Sequence, residues 1–262
     1  MTGAVPDILA RIVEHKRWEL RQSPAPLSSL EVQAEQAVRT RRDFIRALKA
    51  KPVAIIAEAK KASPSKGVLS EDFRPADIAR QYESGGAAAV SVLTDQHFFQ
   101  GSLEELETAR SAITLPVLRK DFLIEESQVI EAAAAGADAV LLIAALLDTN
   151  RLQRFRELAA QYEMASLVEV HDREELRAAV DSGAQMIGVN NRNLHTFQVT
   201  LDTSLQLAEH MPAAALAVSE SGIETTAQIA RLQQAGYSAF LIGEHLMRSG
   251  DPTQALRNLT CS

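Results

Sequence analysis

Short runs of carboxylates, amines and amides close a series of apolar segments in this chain. Glu58-Ala59-Lys60, Thr94-Asp95, Arg119-Lys120-Asp121-Phe122, Glu169, Asn190-Asn191-Arg192, Ser219-Glu220-Ser221-Gly222 and Gly243-Glu244 all occupy that position. Ammonium groups beside carboxylates are suited to proton transfer, because each charge holds the other in its ionised form within hydrogen-bonding reach. Residues two apart in an extended segment share a face. Glu58 with Lys60, Leu118 with Lys120 and Phe122, and Leu167 with Glu169 are such sets. A purely structural ion pair, such as Glu58 with Lys120, is the competing explanation. Against it, the charges gather at one end of the segments only, whereas buried charges are costly wherever they lie. Ser221-Gly222 and Gly243-Glu244 combine small residues with free backbone N–H groups, which suits a phosphate. The Glu244 carboxylate would oppose that anion, so only its backbone N–H is expected to contribute. Glycines that merely end strands are the alternative.

The elements that must position these residues form a repeat. GGAAAVSVL (85–93), AGADAVLLI (135–143), SGAQMIGVN (182–190) and AGYSAFLIG (235–243) each follow an amphipathic stretch and lead into an apolar run. This pattern predicts a helix closed by a left-handed glycine and feeding a buried parallel strand. The aligned glycines, 86, 136, 183 and 236, are 50, 47 and 53 residues apart, twice one strand–helix unit. The intervening strands are VAIIAEAK (53–60), LPVLRKDF (115–122), MASLVEV (164–170) and ALAVSES (215–221). Helix starts are marked at Asp148-Thr149, at Asp172 and at Thr225 with Gln228. Eight alternations predict an α/β fold, a single closed (β/α)8 or TIM barrel spanning 1–262. An open doubly wound sheet is the runner-up, but no GxGxxG or GxxxxGK[ST] signature follows any strand.

About 50 residues precede the first strand. Residues 7–22, opening at Pro6-Asp7 with an apolar stripe of Ile8, Leu9, Ile12 and Val13, and residues 42–51 read as helices. The segment 1–52 is expected to pack on the barrel as a helical extension. Its basic run, Arg39, Arg41, Arg42, Arg46, Lys49 and Lys51, reads as a solvated helix face. The polar stretch between Lys60 and Pro75 suits a substrate loop or lid.

Composition excludes several classes. The chain carries 27 Lys and Arg against 34 Asp and Glu, a net charge of −7, which argues against broad nucleic-acid binding. The lone cysteine, Cys261, cannot make an internal disulfide or a CxxC motif. The longest apolar run, 139–147, falls short of the ~18 residues of a membrane span, and no signal peptide is apparent. Histidines show no paired ligand spacing. The expected protein is cytoplasmic, without metal or cofactor, and a monomer or weak homo-oligomer.

The strings IAEAKKASPSKG (56–67), LTDQHFFQGS (93–102), LRKDF (118–122), GADAVLLI (136–143), LVEVH (167–171), GVNNRNL (188–194), SESGI (219–223) and LIGEHLM (241–247) resemble the indole-3-glycerol phosphate synthase family. They fall in the family's order at strand ends and cover nearly the whole chain. The resemblance implies a lyase of tryptophan biosynthesis acting on 1-(2-carboxyphenylamino)-1-deoxyribulose 5-phosphate. Its products would be indole-3-glycerol phosphate, carbon dioxide and water. Lys120 matches the family's general acid and Glu169 its general base. Lys60 matches a substrate-binding lysine that serves as a second candidate acid, and Glu58, counted with the substrate-binding residues, would with Glu169 hold Lys120 charged and oriented. Ser63 and Arg192 match polar substrate contacts, and Asn190 and Glu220 residues that orient the reacting groups. Phe99, Phe122, Leu141 and Leu194 match the apolar walls, and Ser221, Gly222, Gly243 and Glu244 the phosphate end. Ala59 replaces a bulkier residue, and Glu244 a serine, found in some relatives. Without the resemblance, the residues alone stop at a phosphosugar-handling barrel, in which Lys120 acting through a Schiff base and a non-catalytic binding barrel are the rivals.

Overall fold

A computed structural model describes residues 7–22, 26–64 and 66–260. Cys261 and Pro6 lie outside the described residues. Three helices, α1 (Asp7–Gln22), α2 (Leu27–Val38) and α3 (Phe44–Lys49), precede the first barrel strand. The barrel strands are β1 (Ala54–Ala59), β2 (Ala89–Leu93), β3 (Val117–Lys120), β4 (Ala139–Ile143), β5 (Ala165–Val170), β6 (Met186–Asn190), β7 (Leu216–Glu220) and β8 (Ala239–Ile242). They pair in parallel in chain order, and β1 pairs with both β2 and β8, so the sheet closes. This is the TIM barrel that the repeat predicts.

The helix-to-strand joints follow the glycine pattern. Gly86, Gly136, Gly183 and Gly236 have φ of 90°, 83°, 79° and 104°, values that L side chains rarely adopt. Each lets the chain leave a helix and turn at once into the next strand.

Alternation along the strands makes two apolar layers. Outward residues such as Ile55, Val90, Val140 and Phe240 pack under the helices. Inward residues, among them Ile56, Leu118, Leu141, Leu167, Val218 and Leu241, fill the barrel, and Phe44 and Leu48 of α3 pack onto this inner core. The apolar filling ends one residue pair short of the carboxyl ends, where the inward positions become Glu58, Lys120, Glu169, Asn190 and Glu220. No described helix is long and apolar enough to cross a membrane.

The N-terminal segment differs from expectation in two ways. Helix α2 was not anticipated, because its buried face rests on Ala34 and gives little hydrophobic periodicity. It packs on the helix Glu126–Ala134. The basic run is not a uniformly solvated face: Arg39, Arg46, Lys49 and Lys51 are exposed, but Arg41 and Arg42 are not. Arg41 donates to the carbonyls of Ala133, Ala137 and Tyr162. Arg42 donates to those of Leu115 and Arg110 at 2.6 and 3.2 Å. Guanidinium groups thus satisfy carbonyls at three helix ends, where unpaired acceptors and the negative end of the helix dipole favour a cation.

Asp138, fully buried at the entry to β4, is the centre of this joint. Its carboxylate accepts from the backbone N–H groups of Arg42 and Val117, at 2.8 and 2.9 Å, and from the Arg110 side chain at 3.1 Å. Replacing Asp138 with Ala strands two backbone N–H donors and removes the carboxylate partner of Arg110, whose Nη2 keeps the Thr40 carbonyl, and is expected to cost about 3 kcal/mol. Denaturant unfolding checks this; a midpoint equal to that of the parent chain would contradict it.

Candidate active site at the barrel mouth

Strand register brings the polar inward residues together. Leu93 lies beside Lys120, Ile143 beside Glu169, and Asn190 beside Glu220, which also neighbours Leu241. The centre is the Lys120 ammonium. It lies 3.3 Å from Glu220 Oε2, 3.4 Å from Glu169 Oε2 and 4.0 Å from Glu58 Oε2. The other Glu58 oxygen takes the Lys60 ammonium at 2.5 Å. Glu58, Glu169 and Glu220 are buried, while the Lys120 side chain keeps 14% of its surface exposed, toward the cavity.

Burial and charge compete at each of these groups. Burial alone would lower the Lys120 pKa, but Glu220, Glu169 and Glu58 outweigh it and hold the ammonium charged well above the usual lysine range. Burial would raise Glu58, yet Lys60 and Lys120 keep it ionised and below the usual carboxylate range. Glu169 is likewise held down, against burial, by Lys120, His171 and an Asn190 hydrogen bond. Glu220 goes the other way. Burial, with Glu169 and Glu58 adding to it, pushes its pKa up to about 7 despite Lys120. Three carboxylates face two ammonium groups here, and the excess negative charge falls on Glu220.

Two glycines make room for these carboxylates. A Cβ at Gly188 would collide with Glu220 Oε1, and one at Gly243 with Glu58 Oε1. Close approach of a charged side chain, not turn geometry, is what requires glycine at both positions.

Above this layer opens a cavity of about 540 Å³ lined by Glu58, Lys60, Lys120, Glu169 and Asn190. Ser63, Phe99, Phe122, Leu141, Arg192, Leu194, Ser221, Gly222, Gly243 and Glu244 complete the expected set in its wall. The Phe99 and Phe122 rings stand 6.0 Å apart and tilted, forming an aromatic side. Glu220 alone of the expected residues does not line the cavity; it meets it through Lys120. At the opposite side, Ser221 and Gly222 both take positive φ, 68° and 76°. The Ser221 hydroxyl donates to Asn190 Oδ1 at 2.9 Å, and the Asn191 amide to the Ser221 carbonyl at 3.2 Å, which holds the strained turn. The Glu244 carboxylate faces Arg192 at 3.3 Å and Lys66 at 3.5 Å. Lys66 lies on the small hairpin Ala62–Ser63 and Gly67–Val68 that the loop after β1 forms.

Sequence reasoning missed the contribution of α1, whose Ile8, Leu9 and Ile12 line the cavity. Their apolar stripe was visible, but nothing local says which surface it covers. Lys16 on the same helix reaches Asp95 at 2.9 Å and Asp121 at 3.2 Å. Asp121, which burial would raise, is brought down to about 2 by Arg119 and Lys16. A basic residue one turn beyond an apolar stripe was the only available signal. Lys66 and His171 were also missed, the first inside a loop and the second immediately after a strand.

A closed barrel whose carboxyl-end mouth holds a charged lysine among carboxylates, beside aromatic and cationic walls, defines an acid–base enzyme for a small anionic molecule. Residues 9–259 match the indole-3-glycerol phosphate synthase family model. Indole-3-glycerol phosphate synthase of Burkholderia vietnamiensis is 49% identical over 97% of this chain and 98% of its own length. That of Albidiferax ferrireducens is 51% identical over the same shares. The chain belongs to the indole-3-glycerol phosphate synthase family, and its activity is that of a decarboxylating lyase of tryptophan biosynthesis. Among solved structures, a thiamine phosphate pyrophosphorylase from Pyrococcus furiosus superposes with a TM-score of 0.60 at 18% identity, covering 81% of this chain and 95% of its own, a likeness of fold alone.

The raised Glu220 has a consequence for stability. Its folded-state pKa, about 7, lies above the ordinary 4.5, so protonated Glu220 stabilises the fold at low pH. That contribution fades as pH rises from about 4.5 through about 7. Glu220→Gln is therefore expected to unfold later than the parent chain at pH 8, with the difference closing or reversing near pH 5. The displacement bounds the gain at about 3 kcal/mol. Thermal melts across this range check it; a gap independent of pH would contradict it.

Proposed function

We propose that the chain closes the indole ring of 1-(2-carboxyphenylamino)-1-deoxyribulose 5-phosphate, with Lys120 as general acid and Glu169 as general base. The observation that supports this reading best is the Lys120 ammonium, held between Glu169 and Glu220 at 3.4 and 3.3 Å and lining the cavity. As the aromatic carbon attacks the ribulose carbonyl, Lys120 gives its proton to the oxygen and charge does not build up there. Loss of carbon dioxide leaves its electron pair in the ring. The former carbonyl oxygen then departs as water, protonated by Lys120 or Lys60, while a ring proton passes to Glu169.

The remaining residues bind and orient. Phe99, Phe122, Leu141 and Leu194 form an apolar bed for the aromatic ring, which favours the ring and disfavours the carboxylate it must lose. Ser63 and Arg192 contact polar groups, Glu58 pairs with both lysines, and Asn190 and Glu220 hold Glu169 and Lys120 in line. The backbone N–H groups of Ser221, Gly222, Gly243 and Glu244 hold the phosphate, with the Glu244 carboxylate drawn aside by Lys66 and Arg192. The reading extends to one domain over 1–262 with 1–52 as its extension, working in the cytoplasm as a monomer or weak homo-oligomer.

Lys120→Ala is expected to lower turnover by roughly two to four orders of magnitude, with substrate binding weakened much less. Steady-state kinetics check it, and unchanged turnover overturns the mechanism. Borohydride treatment with substrate tests the Schiff-base rival: an adduct on Lys120 would replace the general-acid role. Glu169→Gln is expected to slow dehydration, so that rapid-quench single-turnover samples contain a decarboxylated intermediate. Parent-like rates with no such species would remove Glu169 as the base.

A further inference from the structure

Glu169 is touched on its second oxygen by a group that the proton transfers above leave unused. While Oε2 faces Lys120, Oε1 lies 3.4 Å from His171 Nε2. His171 follows Glu169 by two residues and so leaves the extended chain on the same side. Its other ring nitrogen, Nδ1, is 3.0 Å from Glu175 Oε2. That same oxygen accepts the backbone N–H of His171 at 2.7 Å. Glu175 is itself fixed, because its backbone N–H donates to the side chain of Asp172, the N-cap of the helix Arg173–Asp181, at 2.9 Å. A helix cap therefore sets Glu175, Glu175 sets the imidazole, and the imidazole meets Glu169.

Neither His171 nor Glu175 lines the cavity, so neither reaches substrate directly. We propose that His171, braced by Glu175, is a positioning residue that aligns the Glu169 carboxylate and keeps it ionised for proton abstraction. This rests on Glu169 being the base. The charges around the imidazole favour its cationic form. Burial works against the proton, but the Glu175 hydrogen bond and the charges of Glu169, Glu175 and, from β7, Glu220 outweigh it. In the cationic form Nδ1–H donates to Glu175, while Nε2 makes no hydrogen bond and faces Glu169 Oε1 at ion-pair distance, 3.4 Å. Glu169 then sits between two cations, Lys120 and His171, one on each oxygen. Lys120 must give up its proton during the reaction, and at that moment His171 is the cation left to hold Glu169 in its basic form.

His171→Asn, which keeps a donor but cannot be charged, tests this alongside Glu175→Gln. In His171→Asn, kcat should fall roughly tenfold, a fraction of what a positioned general base supplies, with little change in KM. The acidic limb of the kcat–pH profile should move up by about one pH unit, because Glu169 ionises less readily without the imidazolium. Glu175→Gln should move that limb in the same direction by less. Glu175 reaches the surface, so this variant carries the test should His171→Asn fail to fold. A parent-like pH profile in folded variants, or a rise in KM with kcat unchanged, overturns the proposal. Glu169→Gln run in parallel separates the two readings: parent-like activity there removes the base assignment itself, whatever the His171 profile shows.

Discussion

One buried ammonium governs the mouth of this barrel. Lys120 enters a region poor in water, where an isolated charge would be expelled or neutralised, and stays charged only because Glu58, Glu169 and Glu220 converge on it. The arrangement is over-supplied with negative charge. Lys60 offsets part of the excess at Glu58, His171 part of it at Glu169, and Glu220 retains the rest as a raised pKa. A cluster balanced this way keeps an ammonium and a carboxylate ionised side by side.

Much of the surrounding structure follows from housing that cluster. Parallel register sets Glu169 beside Gly188, and Glu220 beside Asn190. Glycine at 188 and 243 leaves volume for carboxylates that any side chain would displace. Apolar filling from the inner core closes the barrel below, so charges have no route except upward into the cavity. Helix α1 then forms part of the cavity wall, and Lys16, tied to Asp95 and Asp121, anchors that wall to the second and third strand ends. The N-terminal segment thus shapes the site as well as adding buried apolar residues.

The barrel was legible because its signals are local and repeated. A glycine at each helix end, an apolar run behind it and a polar strand end recur at near-constant spacing, and period-two alternation states which of those polar residues share a face. The same reasoning failed where the partner is remote. Arg41 and Arg42 look like any exposed basic pair until the carbonyls of Ala133, Ala137, Tyr162, Arg110 and Leu115 are brought to them from far along the chain. Helix α2 buries little more than Ala34, too small a residue to mark a face.

Local sequence states the eight strand–helix units and the end of the barrel that carries charge, and its resemblance to the family names the reaction. The first two follow because backbone conformation and side-chain alternation depend on neighbours a few residues away. Tertiary structure alone decided which carboxylate meets which ammonium, that Glu220 stands behind Lys120 instead of in the cavity wall, and that α1 rather than solvent faces the mouth. Those outcomes depend on distances between strands some fifty to a hundred residues apart, and on burial, which shifts a proton's affinity only once the surrounding chain has closed.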